Sequence, residues 1–308
     1  MCRVLAYLGT PTLVDDLLYR AEVSLVRQAT DPRFMQLLNL GGFGMAAWDE
    51  ASAGPSRPFL YRTAGVPMFD RNLKALCEKV CASALLAHVR GVIYEPTERV
   101  GAHNVHPFLF RDAAFALAQN GDLFDFGRMR YDLLGHIPSE LTAQIEGTTD
   151  TEWFYALCLA QLDDPFAPCR AEEMAGAVCD ALRIVQGVRE RRGIETQSPI
   201  NLVLTDGRSL VATRYVFDYG WYPDDGSFFA GEREHDFTTL WYTTAPRSGQ
   251  DSGDGPAARI GVTTALVIAS EPLTEDTSSW LTAPEYSMLV AQPGERGAID
   301  VRLEEIVL

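Results

Sequence analysis

The order of hydrophobic patterns along the chain limits its fold more than any other feature of the sequence. Short strand-like runs dominate the first part, two longer segments with helical spacing follow at 150–162 and 171–190, and strand patterns then return. The sequence lacks the regular alternation of strand and helix that a doubly wound parallel sheet requires. The order therefore predicts an α+β fold of layered antiparallel sheets.

Individual elements are predicted from periodicity and from turn residues. Strands are predicted at 3–9, within 41–50 after a Gly-rich turn, in its hairpin partner 58–63, and at 84–90, 113–119, 237–244, 265–270 and 286–292, with short helices at 13–20 and 70–80. Asp70 is typical of an N-cap for the second of these helices. Two β-rich runs within 200–215 flank Asp206-Gly207, the strongest hairpin signal in the sequence.

Composition bounds the size of the core and the class of partner. The chain has 308 residues, of which 47% are hydrophobic, and this suffices for one large domain or two smaller ones. The formal net charge of −16 argues against binding to nucleic acid or to an anionic membrane surface. The polar, Gly-rich segment 245–259 is predicted to be a mobile loop.

The amino-terminal segment and the cysteines indicate a cytoplasmic protein. The first residues do not resemble a signal peptide, and no stretch approaches the roughly 20 apolar residues of a membrane-spanning helix. The six cysteines form no C-x-x-C pair, which is typical of a reducing compartment. His103 and His106 have a spacing that can hold zinc on a helix, but Pro107 argues against a helix there, so no metal site is predicted.

The opening residues Met-Cys-Arg have two interpretations. A small residue after Met1 is the usual context for removal of the initiator, and Cys2 would then carry a free α-amine beside its thiol. The ordinary pKa is about 7.7–8.0 for this amine and about 8.5 for the thiol, so the amine can take the thiol proton near neutral pH. Such a residue is an N-terminal nucleophile. The alternative is that Cys2 is simply a small residue near the start.

Three further segments also have both a structural and a functional interpretation. They are HVRG (88–91), QNGDL (119–123) and TTDTEW (148–153). In the structural interpretation Arg90 is a surface cation that extends toward solvent. Asn120-Gly121 is then an ordinary hairpin turn. Thr149 and Glu152 form a capping box, and Asp150 merely favours the first helical turn.

In the functional interpretation these residues act on one substrate. A thiolate on Cys2 attacks an amide carbonyl and creates an oxyanion, which the Asn120 side-chain amide and the Gly121 backbone N–H stabilise. Arg90 binds a substrate α-carboxylate through two hydrogen bonds. Asp150 accepts the α-ammonium. Together they recognise the charged head of a γ-glutamyl group and place its side-chain amide at the thiol.

The ordered motifs resemble those of class II glutamine amidotransferase domains, a family of N-terminal nucleophile hydrolases. The matching segments are MCR at the start, HVRG, NVHPF (104–108), QNGDL and TTDTEW. The later segments NLVLTDGRSLVATRY and VIASEPLTED are similar to the closing sheet of a stand-alone branch of this family. That branch includes the hydrolase of ergothioneine biosynthesis, which removes glutamate from a γ-glutamyl intermediate.

The resemblance implies a four-layer αββα sandwich with two antiparallel sheets, formed by a single domain over 2–308 after removal of Met1. It implies no cofactor and no metal. Carried over by position, the catalytic residues are Cys2, Asn120 and Gly121, and the substrate-binding residues are Arg90 and Asp150.

Three functions are compatible with this resemblance. The first is an amidohydrolase that cleaves the γ-glutamyl amide of glutamine or of a larger conjugate through a Cys2 thioester and releases glutamate. The second is a glutaminase subunit that supplies ammonia to a separate synthetase partner. The third is a catalytically silent binding or scaffold protein. Intact polar residues in all four motifs argue against the third.

Two positions depart from the family pattern. Gln119 replaces the His that usually precedes Asn-Gly, and a Gln cannot titrate near pH 7. Leu40 and Gly41 occupy a turn in which the family usually has an acidic residue. Neither change removes a proposed catalytic group, but both leave the identity of the substrate open.

Overall fold

Antiparallel strands form the centre of the protein. A computed structural model describes residues 2–33, 38–92, 100–217, 239–246 and 258–308. The strands in these ranges are β1 Arg3–Leu13, β2 Phe43–Trp48, β3 Phe59–Thr63, β4 Cys81–Val89, β5 Ala116–Gly121, β6 Ser198–Thr205, β7 Leu210–Phe217, β8 Trp241–Pro246, β9 Ala258–Ala269, β10 Leu281–Thr282, β11 Ser287–Pro293 and β12 Ile299–Glu305.

Helices occupy the middle of the chain and a few connections. The α-helices are α1 Arg71–Cys77, α2 Phe126–Leu134, α3 Ser139–Thr142, α4 Asp150–Leu159 and α5 Ala171–Arg192. Short helical turns cover Asp16–Arg20, Arg27–Ala29, Pro67–Phe69, Ala102–Asn104 and Glu295–Gly297. None of the helices in the described part of the chain combines the length and the apolar character that a membrane crossing requires.

The strands pair in one continuous antiparallel path, in the order β3-β2-β4-β1-β9-β12-β11-β7-β6-β5. β8 pairs with β9, and β10 pairs with β8. We call β3, β2, β4, β1 and β9 the first half of the sheet, and the remaining strands of the path the second half. The α+β class and the antiparallel pairing are as expected. The two expected sheets, however, are joined through the β9–β12 pairing, so that they form one curled sheet.

Three apolar clusters hold the helices and the two halves together. Side chains of β1 alternate between two of them, since Val4 and Ala6 lie in a cluster shared with the second half, whereas Leu5 packs on the opposite face. The opposite face of the first half also covers Leu18 and Leu73 from its short helices. A third cluster packs α2, α4 and α5 against the outer face of the second half. The two halves therefore face each other across a shared core.

Most of the predicted elements are present. The hairpins β2–β3 and β6–β7 form, and Gly207 in the second hairpin has a φ of +85°, a region that favours glycine. Asp70 caps α1, because its Oδ1 accepts hydrogen bonds from the backbone N–H groups of Asn72 at 3.1 Å and Leu73 at 3.0 Å. The two long predicted helices correspond to α4 and α5.

Other boundaries differ from the predictions. β1 continues to Leu13, so the helix predicted at 13–20 begins only after β1 and includes the short helical turn Asp16–Arg20. α2 and β12 were not predicted, although β12 alternates Ile, Val and Leu with charged residues. Of the loop predicted at 245–259, residues 247–257 lie outside the described residues, while its two ends belong to β8 and β9.

Candidate active site

Cys2 immediately precedes β1, and the register of β1 on β4 places it beside the HVRG segment. Arg3 pairs with Val89, so Cys2 faces the residues that follow β4. Its Sγ accepts a hydrogen bond from the Gly91 backbone N–H at 3.4 Å, and it lies 3.7 Å from the Gly91 carbonyl oxygen. The two motifs are therefore in direct contact.

The surroundings of Cys2 set the protonation of its thiol. Burial raises the pKa of Cys2, and the nearby Asp150 carboxylate raises it further. The Gly91 N–H and the Arg90 guanidinium act in the opposite direction and only partly compensate the raised pKa. The thiol is therefore protonated at neutral pH and needs a base before it can attack. These effects also show that Arg90 and Asp150 are within electrostatic reach of the thiol.

Arg90 is held at the base of this site and is not a surface cation. Only 6% of it is exposed. Its backbone N–H donates to Gly42 O at 2.8 Å, and its carbonyl accepts from Gly41 N–H at 2.8 Å. A Cβ on Gly41 would lie 2.7 Å from Val92 Cγ1, so a side chain at this departure from the family pattern would collide with its neighbour.

Asn120 and Gly121 belong to β5, so the hairpin-turn interpretation is wrong. One edge of β5 pairs with β6, and the Asp122 N–H continues this pairing to Pro199 O at 3.1 Å. At the other edge, Leu117 exchanges both of its backbone hydrogen bonds with Phe108. Because hydrogen-bonding directions alternate along a strand, the Gly121 N–H points to the same edge as the Leu117 N–H, away from β6.

Gly121 also meets a steric requirement. A Cβ at this position would lie 1.9 Å from Pro199 O on β6. Only glycine therefore lets the end of β5 approach β6 this closely while its N–H points away from β6.

The Asn120 side chain connects the second half of the sheet to the nucleophile strand. It is 2% exposed, and its Nδ2 donates to Ser270 Oγ at 3.0 Å. The same Ser270 Oγ accepts the Val4 backbone N–H at 3.0 Å. The Ser270 hydroxyl therefore contacts both the side chain that is proposed to stabilise the oxyanion and the strand that follows Cys2.

Asp150 begins α4 and also faces the site. Thr149 caps this helix by accepting the Glu152 N–H at 3.4 Å, as predicted. The Glu152 carboxylate, however, accepts from the N–H groups of Glu146 and Gly147 instead of completing a capping box. The Asp150 Oδ2 accepts the Leu123 N–H at 2.6 Å.

Burial raises the pKa of the Asp150 carboxyl, and the hydrogen bonds from Leu123 and Thr151 oppose this effect. The start of α4 also favours negative charge there, because the helix dipole is positive at its N-terminus. A partly desolvated carboxylate of this kind gains most from a cationic partner.

Two histidines bond to the backbone of Gln119 at the edge of β5 that faces away from β6. His88 Nε2 bonds to Gln119 O at 3.1 Å, and His106 Nδ1 accepts the Gln119 N–H at 3.3 Å. Both rings are buried, and burial lowers the pKa of His88 well below its ordinary value and that of His106 to about 3. Both histidines are therefore neutral, and in the described residues no three potential metal ligands converge.

The sequence reasoning missed a buried ion pair behind Cys2. The Arg3 Nη1 donates to the Cys2 carbonyl oxygen at 3.0 Å, and its Nε lies 3.4 Å from Glu271 Oε1. The second Glu271 oxygen accepts the Arg33 N–H at 2.9 Å. Ser270 and Glu271 both lie in the segment VIASEPLTED, whose resemblance to the family was the available signal.

Comparison with known families and proteins identifies the family. Residues 43–217 match the family described as glutamine amidotransferases class-II. The chain is 27% identical to the probable glutamine amidotransferase DUG3 of Saccharomyces cerevisiae, over 94% of this chain and 81% of that protein.

Solved structures extend the comparison to the fold. A glutamine aminotransferase class-II domain protein from Silicibacter pomeroyi superimposes with a TM-score of 0.60 at 19% identity, with full coverage of both chains. The glutamine PRPP amidotransferase of B. subtilis gives a TM-score of 0.56 at 15% identity, and this chain matches 50% of its length. These likenesses confirm the expected N-terminal nucleophile hydrolase fold. Because the family model matches residues 43–217, more than half of the sequence, the chain belongs to the class-II glutamine amidotransferases.

Proposed function

We propose that the protein is an amidohydrolase that cleaves a γ-glutamyl amide through a thioester on Cys2. The observation that carries this proposal is that the Arg90 guanidinium and the Asp150 carboxylate both act on the pKa of the Cys2 thiol, in opposite directions. Such a pair matches the α-carboxylate and the α-ammonium of a glutamyl group. The substrate is therefore a small molecule with a zwitterionic head and an amide at its far end.

The first chemical step forms the thioester. After removal of Met1, the free α-amine of Cys2 takes the thiol proton, and the sulfur attacks the amide carbon. The negative charge that develops on the carbonyl oxygen is stabilised by the Gly121 backbone N–H and the Asn120 amide. The C–N bond then breaks, and the leaving amine takes the proton from the Cys2 ammonium.

The second step releases glutamate. The α-amine of Cys2 accepts a proton from water as the water oxygen attacks the thioester carbon. The same two donors stabilise the second oxyanion, and the sulfur leaves and regains the proton.

A second candidate function has the same chemistry with a different outcome for the ammonia. The kinship with glutamine amidotransferases supports a glutaminase subunit whose ammonia passes to a synthetase partner. The catalytically silent scaffold is the third candidate, and the burial of Arg90 and Asn120 near a thiol argues against it. All six cysteines are free thiols, which supports the cytoplasm as the site of action.

A panel of γ-glutamyl amides, with glutamine included, tests the proposal by measurement of released glutamate. A free hydrolase acts alone and prefers a conjugate larger than glutamine. A synthetase subunit shows weak glutaminase activity that rises when its partner is added. A silent scaffold releases no glutamate and forms no adduct at Cys2 with diazo-oxo-norleucine, a thiol-reactive glutamine analogue. That last pair of results would overturn the proposal.

A further inference from the structure

The residue that follows β9 lies between two segments of the proposed site, the one after Cys2 and the one that carries Asn120. Ser270 follows β9 directly, and its backbone N–H donates to Val4 O at 3.0 Å. Its hydroxyl oxygen accepts two hydrogen bonds of 3.0 Å, one from Val4 N–H and one from Asn120 Nδ2. Ser270 is 4% exposed, so water does not compete for these bonds.

The bond to Asn120 fixes the direction of the amide. A planar –NH₂ group has two hydrogens in fixed directions. When one of them is bonded to Ser270 Oγ, the side-chain torsion is set and the second hydrogen has one direction left. An oxyanion donor is effective only when it is oriented before charge develops. The serine bond supplies this orientation.

The same bond sets the distance between donor and nucleophile. Asn120 belongs to the second half of the sheet, whereas Cys2 belongs to the first half. Through Val4, the Ser270 hydroxyl is tied to the backbone only two residues from Cys2. Any shift of β5 relative to β1 would stretch one of its two bonds.

We propose that Ser270 is a positioning residue that orients the Asn120 amide toward the oxyanion and couples it to the nucleophile strand. This inference rests on the proposed amidohydrolase function. Ser270 contacts no reacting atom, so its effect is transmitted through Asn120 alone. Its removal weakens transition-state stabilisation and leaves substrate binding nearly unchanged.

The test compares Ser270→Ala, Asn120→Ala and the double variant in the full-length protein. Steady-state glutamate release gives kcat and KM for each. We expect Ser270→Ala to lower kcat by about 10- to 100-fold, less than loss of the donor itself, with KM within about twofold. In the Asn120→Ala background the same substitution should change kcat by less than about threefold, because the residue through which it acts is absent.

Two controls distinguish the positioning role of Ser270 from a purely structural one: a matched variant at another buried hydroxyl, and a second reaction of Cys2. Thr205 is also buried, its hydroxyl also accepts a backbone N–H, and it lies at the end of β6 away from Asn120. Thr205→Val should lower the unfolding temperature and leave kcat unchanged. Alkylation of Cys2 by iodoacetamide involves no oxyanion, so its rate should be the same in Ser270→Ala and wild type.

Several outcomes would overturn the inference. Fully multiplicative losses in the double variant would show that Ser270 acts independently of Asn120. An unchanged kcat in Ser270→Ala, with an active wild type, would reject the positioning role alone. A loss in Thr205→Val equal to that in Ser270→Ala would indicate a general effect of stability. A wild type that releases no glutamate from any amide would reject the proposed function, and this inference with it.

Discussion

His88 and His106 stack with their ring centroids 4.2 Å apart and bond to opposite backbone groups of the same residue, Gln119. His88 donates to its carbonyl, and His106 accepts from its N–H. The two rings therefore hold the strand immediately before Asn120 by its backbone and not by its side chain. The Gln119 side chain, which stands where the family usually has His, takes no part in these contacts.

The stacked pair predicts a loss of stability in acid. The unfolded chain binds a proton at each histidine near the ordinary pKa of about 6.5, whereas in the folded protein the pKa of His106 is about 3. Between these values the unfolded state carries more protons, so the free energy of unfolding falls as the pH falls. Each such histidine contributes a slope of about 1.4 kcal/mol per pH unit within this range.

Urea unfolding between pH 7.5 and pH 4.5 measures this slope. His106→Gln should make it shallower, because Gln can accept the Gln119 N–H but does not titrate. His136→Gln, which removes an exposed histidine and leaves the His88–His106 pair intact, serves as the control. An identical slope in all three proteins would contradict the assignment.

Removal of Met1 is expected to be required for activity. The mature chain should begin at Cys2, because only a free α-amine can take the proton of a thiol whose pKa is raised by burial. Intact-mass analysis checks this, and a fully active protein that retains Met1 would disprove the amine mechanism. Cys2→Ala should abolish turnover without a change in unfolding temperature, whereas Cys81→Ala, at an exposed cysteine, should be fully active.

Asn120→Ala is expected to lower kcat by about 10²–10³-fold, as loss of one oxyanion donor does. KM should change less, because this contact strengthens only as charge develops on the oxygen. Steady-state kinetics on the best amide separate the two constants. A large rise in KM at constant kcat would instead identify Asn120 as a ground-state binding residue.

Arg90 and Asp150 are expected to act mainly on binding. A charge-assisted hydrogen bond contributes roughly 1.5–3 kcal/mol, so truncation of either side chain should cost about 10- to 150-fold in kcat/KM, carried by KM. Arg90→Lys should restore only part of the loss, because Lys cannot form the two parallel bonds.

The role of Asp150 has a sharper test in substrate preference. Wild type should prefer a γ-glutamyl amide to the glutaryl amide that lacks the α-ammonium, and Asp150→Asn should shrink this preference. Asp180→Asn, at an exposed ion pair on α5, should keep it. If Asp150→Asn retains the full preference and loses only thermal stability, the residue is merely the first residue of α4.

Gly121→Ala is expected to reduce both stability and activity. Its Cβ would lie 1.9 Å from Pro199 O, so β5 must shift away from β6. Such overpacking costs about 1–3 kcal/mol and moves the backbone N–H that we propose as an oxyanion donor. Gly176→Ala is the matched control, because nothing lies within 4 Å of its Cβ inside α5, and it should stabilise the protein. Thermal unfolding and kcat together distinguish the two variants.

The local part of this site could be predicted from sequence because its signals are short in range. Asp70 and Thr149 are helix caps whose bonds reach two or three residues, and both form as predicted. The hairpin at Asp206-Gly207 depends on a single turn. Arg90 and Asn120 were identified through their motifs. Their structural interpretations, as a surface cation and a turn residue, could be rejected only once their burial was known, because no local sequence pattern encodes burial.

The remaining features depend on contacts between distant residues. Ser270 bonds to Asn120 across 150 positions of sequence, and Arg3 pairs with Glu271 across 268. Neither separation has a periodicity that indicates proximity. The joining of the two expected sheets has the same origin, since the β9–β12 pairing is fixed only when both halves are in place.

The β9–β12 pairing and the residues around Ser270 form a seam, with the thiol and the guanidinium on one side and the amide and the carboxylate on the other. Neither side alone carries all the groups that the proposed reaction needs. We therefore expect enzymatic activity to respond to a displacement of one side relative to the other before the helix or strand content changes. Under mild denaturants, we expect a small separation of the two sides to abolish activity while the secondary structure is still intact.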